Sequence, residues 1–470
     1  VEAGAEVTLT ATVKKGNTVV SNLKEAGLHL CWWNKTTDSK DEFVDCDTNW
    51  YNLILKTKLS RIGDNEIQAT LQDKNWKQLG DSITVKISVT EAASVITDAA
   101  ITVKKVQNLS SDFIKGIDIS TYLVETASGV KYKAQSGQEV EGKEFIRMFA
   151  QNGVNYIRLR VWNQPYDTDS SGNKLYYGGG NNDIEMAVKI CKLIKEYNTA
   201  YANKYGEVKV LIDLHYSDFW ADPDKQTAPK AWKEMSIEDK TKAVAEFTKD
   251  CLKKVEDTGV TVGMLQIGNE TTNGICGESY GTENYLKIFR AGCDAVKEYN
   301  ESKEYTTENG KWIKRVVHFT DPQSVGTSKA LYLKTGDLSA KDATNPTSEG
   351  VDYDVYATSY YPYWHGTTEN LNEMLGNIAS KCGCEVMVAE TQYVYTNDDY
   401  DGADNQAYEG KNNIDLSQWP VSVQGQANEI RDVIDAVAQV ANNKGIGMFY
   451  WEPAWLGVGN AYNADGTVNE

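Results

Sequence analysis

From Phe113 onward the chain alternates short apolar runs with longer stretches whose apolar residues recur every three or four positions. The short runs are Gly116 to Ile119, Tyr156 to Val161, Val208 to Leu214, Gly263 to Ile267, Val316 to Phe319, Val355 to Ser359, Val386 to Ala389 and Gly447 to Trp451. The longer stretches include Glu141 to Asn152, Ile184 to Tyr197, Ile237 to Thr258, Glu283 to Tyr299, Leu371 to Lys381 and Gln426 to Asn443. The first pattern reads as buried strands and the second as amphipathic helices, so the strands are parallel and joined by helical crossovers. Eight such units match an α/β fold of the (β/α)8 or TIM-barrel type with loop insertions. The competing arrangement, a doubly wound sheet, needs a glycine-rich phosphate turn after an early strand. GIDIS, at Gly116 to Ser120, offers none.

Before Phe113 the period is two. VTLTATV at Val7 to Val13, Ile67 to Leu71 and Ile83 to Val89 alternate, with turn pairs Gly16-Asn17, Gly63-Asp64 and Gly80-Asp81 between them. Short alternating strands at this spacing make a small all-β, immunoglobulin-like sandwich. LHLCWWN at Leu28 to Asn34 and Asn49-Trp50-Tyr51 add an aromatic cluster. It is either a carbohydrate-binding platform or the core filling of a spacer. A last strand-like run, Ala99 to Val106, precedes the polar Gln107 to Asp112, which sets the boundary: residues 1–110 form the sandwich and 111–470 the barrel.

Composition narrows the partners. A formal charge of -19 repels nucleic acid and anionic membranes, and no apolar run approaches the roughly 20 residues of a membrane span. A neutral partner remains. Twelve Trp and 27 Tyr are in excess, and flat amphipathic rings suit sugar faces, although core packing claims part of them. Cys31 and Cys46 share the all-β segment, but pairing cannot be read from spacing; Cys382-Gly-Cys384 has no second ligand pair nearby to make a zinc site. No cleavable leader precedes Val1, so a secreted chain would already have lost it.

Two apolar runs close on a glutamate. VGMLQIGNE ends in Asn269 and Glu270, and EVMVAE ends in Glu390. A carboxylate at the end of a buried strand is costly unless used or paired. Two of them facing each other are what retaining glycoside hydrolysis requires, one to protonate the leaving oxygen and later deprotonate water, the other to attack the anomeric carbon. In a barrel the site lies at the carboxyl ends of the strands. Further polar and aromatic residues fall there: Asp118, Arg158, Arg160, Asp213, His215, Tyr360, Tyr361, Tyr363, Trp364, His365, Trp451, Glu452 and Trp455. Trp162, Trp220, Trp364, Trp451 and Trp455 are candidate stacking floors, and some of them close the core instead.

GIDIS, GVNYIRLRVWNQPYD, LIDLHYSDFWADPDKQTAPKAW, LQIGNET, SYYPYWHG, VAET and FYWEPAW resemble, in order, the landmarks of the family 53 glycoside hydrolases, the endo-β-1,4-galactanases of the large retaining (β/α)8 clan. The resemblance runs from about Phe113 to Gly459. It implies Glu270 as acid/base and Glu390 as nucleophile. It also implies a galactan-binding groove around Asp118, Arg158, Arg160, His215, Trp220, Asn269, Tyr360, Tyr361, Trp364, His365 and Trp451. The expected partners are β-1,4-galactan and galacto-oligosaccharides, met outside the cell or at its surface by a monomer. No cofactor is required for the chemistry. In NDDYDGADN, at Asn397 to Asn405, Asp399, Asp401 and Asn405 offer spaced oxygen ligands for a structural calcium, although Ala403 stands where the similar loop of some bacterial members of the family carries His. The family continues through a closing helix, whereas this sequence stops at Glu470, which suggests a truncated last unit. The rival readings are a mannanase or xylanase with the same two glutamates, and a barrel that binds carbohydrate without cleaving it.

Overall fold

The computed structural model describes residues 6–35, 50–58, 63–89, 101–134, 136–177, 182–320, 322–344, 346–399 and 405–456. The chain divides into two compact units, residues 1–99 with 133–139, and residues 100–132 with 140–470. Cys46, Asp401 and the segment after Leu456 lie outside the described residues.

In the first unit Leu28–Asn34, Gly63–Asp73 and Ile83–Val89 form a three-stranded antiparallel sheet, and Glu6–Thr10 pairs with Ile54–Lys58. Val13–Lys15 and Thr18–Val20 make a hairpin. Val7 and Leu55 of the strand pair share one core with Leu30, Trp32, Ile67 and Val89 of the sheet. Alternation does what period two predicts in Leu28–Asn34, where Leu30 and Trp32 turn inward, but only the end of Ile83–Val89 follows it: Val89 is buried while Ile83 and Val85 are exposed.

In the second unit eight parallel strands close into a barrel. In chain order they are β1 (Ile114–Asp118), β2 (Tyr156–Val161), β3 (Lys209–Leu214), β4 (Val262–Ile267), β5 (Lys314–Phe319), β6 (Val355–Ser359), β7 (Glu385–Thr391) and β8 (Gly445–Tyr450). The helices are α1 (Tyr122–Ala127), α2 (Gly142–Ala150), α3 (Ile184–Tyr205), α4 (Ile237–Glu256), α5 (Glu283–Ser302), α6 (Pro322–Thr335), α7 (Thr368–Cys382) and α8 (Val423–Ala438). Five helices, α3, α4, α5, α7 and α8, start where a side chain takes an orphan amide: Asp183, Ser236, Thr282, Thr367 and Ser422 accept from the third residue on. Among the described residues no helix is long and apolar enough to cross a membrane.

The barrel interior explains how the site is made. Ile114, Leu211, Met264, Val316, Val355, Ala357, Met387, Ala389 and Phe449 fill it. Gly116 is small because Phe449 occupies its side of the barrel; a Cβ there would lie 2.2 Å from the ring. Two residues further along several strands, the same inward face turns polar: Leu211 is followed by Asp213, Met264 by Gln266, Val316 by His318 and Ala357 by Ser359. In β7 the register shifts, so that Ser359 pairs with Glu390, and the period that would bring Thr391 inward is broken.

One expectation changes. Residues 101–106 form no strand; the backbone of Thr102, Lys104 and Gln107 is instead hydrogen-bonded by Gln424, Arg431 and Gln439 of α8 and its end. Two further helices, α1 and α6, complete the alternation outside the six stretches named from the sequence.

Candidate active site

Arg158, on the inward face of β2 and 1% exposed, is the hub. Its Nη1 lies 3.0 Å from Asp118 Oδ2 and 2.8 Å from Glu390 Oε1, and its Nη2 lies 2.8 Å from both Asp213 Oδ2 and Asn269 Oδ1. Nε donates to Gln266 Oε1 at 3.2 Å. A planar guanidinium with five hydrogens fits such a ring of acceptors as no ammonium could. The carboxylates are held from behind as well. Asp118 Oδ1 accepts from the Ser120 amide and hydroxyl at 2.9 and 2.6 Å. Asp213 takes Gln266 Nε2 at 2.7 Å and His215 Nε2 at 3.1 Å, while His215 Nδ1 accepts from the Ala221 amide. That last bond leaves the histidine proton on Nε2, facing Asp213.

The two glutamates have different surroundings. Glu390 has a guanidinium on one oxygen, and on the other the Tyr361 hydroxyl donates at 2.9 Å. Glu270 receives one neutral donor, the Ser359 hydroxyl, 2.6 Å from Oε1. Burial, then the nearby Glu390 charge, push the Glu270 carboxyl up to about 8. Burial raises Glu390 too, but Arg158 and Tyr361 oppose it. The shared proton therefore resides on Glu270 and the charge on Glu390. Glu270 also sits at φ +43, a left-handed conformation that a glutamate adopts at a cost of about 1–3 kcal/mol. Gly268, at φ +80, makes the turn; a Cβ there would lie 2.6 Å from Thr271 and 2.8 Å from Ile275.

Asn269 is locked by its Oδ1 bond to Arg158 and by Nδ2 donating to Ala221 O at 2.8 Å. Arg160 pairs with the buried Glu452 at 2.7 Å and lies 4.2 Å from the Trp220 ring. Burial raises Glu452 to about 7 against the pull of Arg160. Trp220 and Trp451 are half-buried, with ring centres 6.4 Å apart, and Trp451 meets the exposed Trp455 at 5.1 Å. Trp364 is 43% exposed on the segment after β6. His365 accepts the Tyr361 amide through Nδ1.

These positions sort the expected residues. Glu270, Glu390, Asn269, Arg158 and Tyr361 come together. Asp118 and His215 lie beneath them, their polar atoms spent on Arg158, Ser120, Asp213 and Ala221. Tyr360 is fully buried and its hydroxyl donates to Gly366 O at 2.8 Å, so it braces the turn after β6 rather than facing the groove. Trp162 is likewise buried. Of the calcium loop, Asp399 and Asn405 are described and Asp401 is not; the Asn405 carbonyl accepts from Lys411 Nζ. No cluster of three or more His, Cys, Asp or Glu able to hold a metal occurs among the described residues. Gln266, His318 and Ser359 went unnoticed in the sequence. Gln266 and His318 are single polar residues inside apolar runs, Ser359 closes its strand after Thr358, and a position two places beyond a barrel-filling residue is the signal that finds each.

An eight-stranded barrel with one charge-paired and one protonated glutamate at the carboxyl ends of β7 and β4 defines a glycoside hydrolase of the carboxylate-pair class. Comparison with known proteins makes this particular. The chain belongs to glycosyl hydrolase family 53, whose family model matches residues 114–469. It is 43% identical over 357 residues to an endo-beta-1,4-galactanase of Bacillus subtilis, covering 76% of this chain and 73% of that protein. It is 31% identical over 348 residues to the arabinogalactan endo-beta-1,4-galactanase of Humicola insolens, covering 73% and 90%. Among solved structures, a family 53 catalytic domain from Ignisphaera aggregans superposes with a TM-score of 0.63 at 33% identity, covering 76% of this chain and 89% of that one.

Proposed function

We propose that the protein is a retaining endo-β-1,4-galactanase that cleaves pectic (arabino)galactan by double displacement, with Glu390 as nucleophile and Glu270 as acid/base. The observation that carries the assignment is the unequal support of the two carboxyls. Arg158 and Tyr361 favour an ionised Glu390, and a lone hydroxyl leaves Glu270 protonated. In the first step the Glu390 carboxylate attacks the anomeric carbon as Glu270 gives its proton to the departing glycosidic oxygen. In the second, ionised Glu270 takes a proton from water as that water attacks the same carbon and releases Glu390. Esterification removes the Glu390 charge, the second cause of the raised Glu270 proton affinity, so Glu270 becomes a better-ionised base when the second step needs one. Asn269 keeps one amide hydrogen for the sugar 2-hydroxyl, and Trp451 and Trp220 supply apolar faces for the ring.

The names of the relatives support galactan over mannan or xylan. A polymeric substrate that cannot cross a membrane favours action outside the cell, and a site built from one barrel is compatible with a monomer. Structural calcium on Asp399, Asp401 and Asn405 is a separate proposal: adding calcium after chelation should raise the melting temperature, and an unchanged value would dismiss it.

The test is reducing-end release from linear β-1,4-galactan, with mannan and xylan alongside. Activity confined to galactan and abolished in both Glu270→Ala and Glu390→Ala supports the reading; cleavage of mannan or xylan overturns the substrate.

A further inference from the structure

Behind Glu270 stands a hydrogen-bonded chain that the double displacement does not by itself require. His318, on the inward face of β5 and fully buried, presents Nδ1 to the Glu270 backbone amide at 3.3 Å and Nε2 to Ser359 Oγ at 3.0 Å. Gln266 Nε2 lies 3.0 Å from the same Nδ1; Asn269 Oδ1, also 3.0 Å away, has Arg158 Nη2 as its donor. An amide N–H can only donate, so Nδ1 accepts and the imidazole hydrogen sits on Nε2. Burial, then Arg158, hold His318 well below the usual histidine range, and it stays neutral. Its Nε2–H therefore occupies a lone pair of Ser359 Oγ, and the serine hydrogen is left for Glu270 Oε1.

We propose that Ser359, aimed by His318, is a positioning residue that sets both where Glu270 carries its proton and how readily it gives that proton up. The inference rests on the acid/base assignment above. With Oε1 already accepting, the acid's proton is placed on Oε2. A hydroxyl bond to a carboxylate is also stronger than one to a carboxylic acid, so Ser359 favours the ionised Glu270 that must deprotonate water. The other groups facing Glu270 are Glu390 of β7 and Asp222 of the loop after β3, which raise its proton affinity, and Arg158 of β2, which lowers it. Tyr361, on the segment after β6, is kept protonated by burial. Ser359 is the only hydroxyl donor to Glu270 among the described residues.

The test uses the whole chain. Ser359→Ala should move the basic limb of kcat/KM upward by about one pH unit. It should also slow the second step about tenfold, lowering kcat and KM together, and azide, which attacks without a base, should restore kcat. Ser359→Thr, which keeps the hydroxyl, should restore the wild-type limb. Nitrogen NMR should find His318 in the Nε2–H tautomer. An unmoved basic limb in a folded Ser359→Ala protein, an azide-insensitive loss, or the Nδ1–H tautomer overturns the proposal. Glu270→Ala separates the two claims: if it retains turnover the acid/base assignment fails, and if it is inactive while the Ser359→Ala limb is unmoved, only the role of Ser359 fails.

Discussion

Replacing Arg158 with lysine tests the hub on which the electrostatics of this site depend. The guanidinium makes five contacts of 2.8 to 3.2 Å, three of them with carboxylates. A lysine ammonium has three hydrogens on a flexible stem, so at least two of the five acceptors lose their donor. At about 1.5–3 kcal/mol for a hydrogen bond to a charged group, the loss of two is about 3–6 kcal/mol, which spans the range of about 3–5 kcal/mol seen when one partner of a buried ion pair is removed. Catalysis should fall with stability, since Glu390 would lose its orienting partner. A weakening of about 3–4 kcal/mol at the transition state corresponds to a fall in kcat/KM of about 10²–10³. The direction with pH follows from Asp213. Burial raises its proton affinity, yet Arg158 and His215 outweigh burial and hold it below the ordinary carboxylate value. A depressed carboxyl contributes stability that is present above its unfolded value and lost as pH falls through the folded one. The variant should therefore fall behind the wild type most at neutral pH and approach it in acid. Urea unfolding and kcat/KM on linear galactan, each measured across pH, supply the assay. A stability change under about 0.5 kcal/mol with a less than tenfold drop in kcat/KM would refute the hub.

Tyr361→Phe removes one donor from Glu390, so the acidic limb of kcat/KM should move up by about one pH unit while the melting temperature barely changes; an unmoved acidic limb counts against the nucleophile's described environment. Glu429 of α8 is fully buried, bonded to the Thr391 hydroxyl through one oxygen, and raised by burial to about 8. A raised carboxyl binds a proton in the folded state that the unfolded chain has released, so its stability contribution declines as pH rises from its unfolded value of about 4.3 towards 8. Glu429→Gln should gain on the wild type by roughly 5 kcal/mol across that window, at about 1.4 kcal/mol per pH unit, and a gain independent of pH in urea unfolding argues otherwise. Trp451→Ala should raise KM and lower kcat together, about tenfold or more in kcat/KM, by removing a stacking face; Trp364→Ala, at an exposed position, should raise KM with kcat retained, and the opposite ranking would reassign the groove floor.

The barrel was readable because all eight strands are apolar runs bounded by turn residues, and the observed limits depart from the expected ones by a residue or two at most ends. Helix α6 was not readable: PQSVGTSKALYLKT opens on small and polar residues, with Val325 its only large apolar residue before Leu331. The strand-like run ending at Val106 misled because β-branched residues resemble a strand wherever they lie, and here the side chains of α8 satisfy its backbone in place of a neighbouring strand. Glu270 and Glu390 announced themselves by closing apolar strands. Their supporting residues did not, because Gln266 and His318 each interrupt an apolar run only once, Ser359 merely follows Thr358 at a strand end, and inward direction belongs to the closed barrel rather than to any one segment. Tyr360 shows the converse. It lies next to Tyr361, just past the end of β6, yet is buried and its hydroxyl bonds to Gly366 O instead of the groove.

The division of labour between the two glutamates is tested most directly by trapping the intermediate. A fluorinated galactobiosyl fluoride, whose second step is slow, should label the enzyme covalently, and peptide mapping should place the sugar on Glu390 in EVMVAET. A label on Glu270 or Glu452, or hydrolysis with inversion and no label, would contradict the assignment.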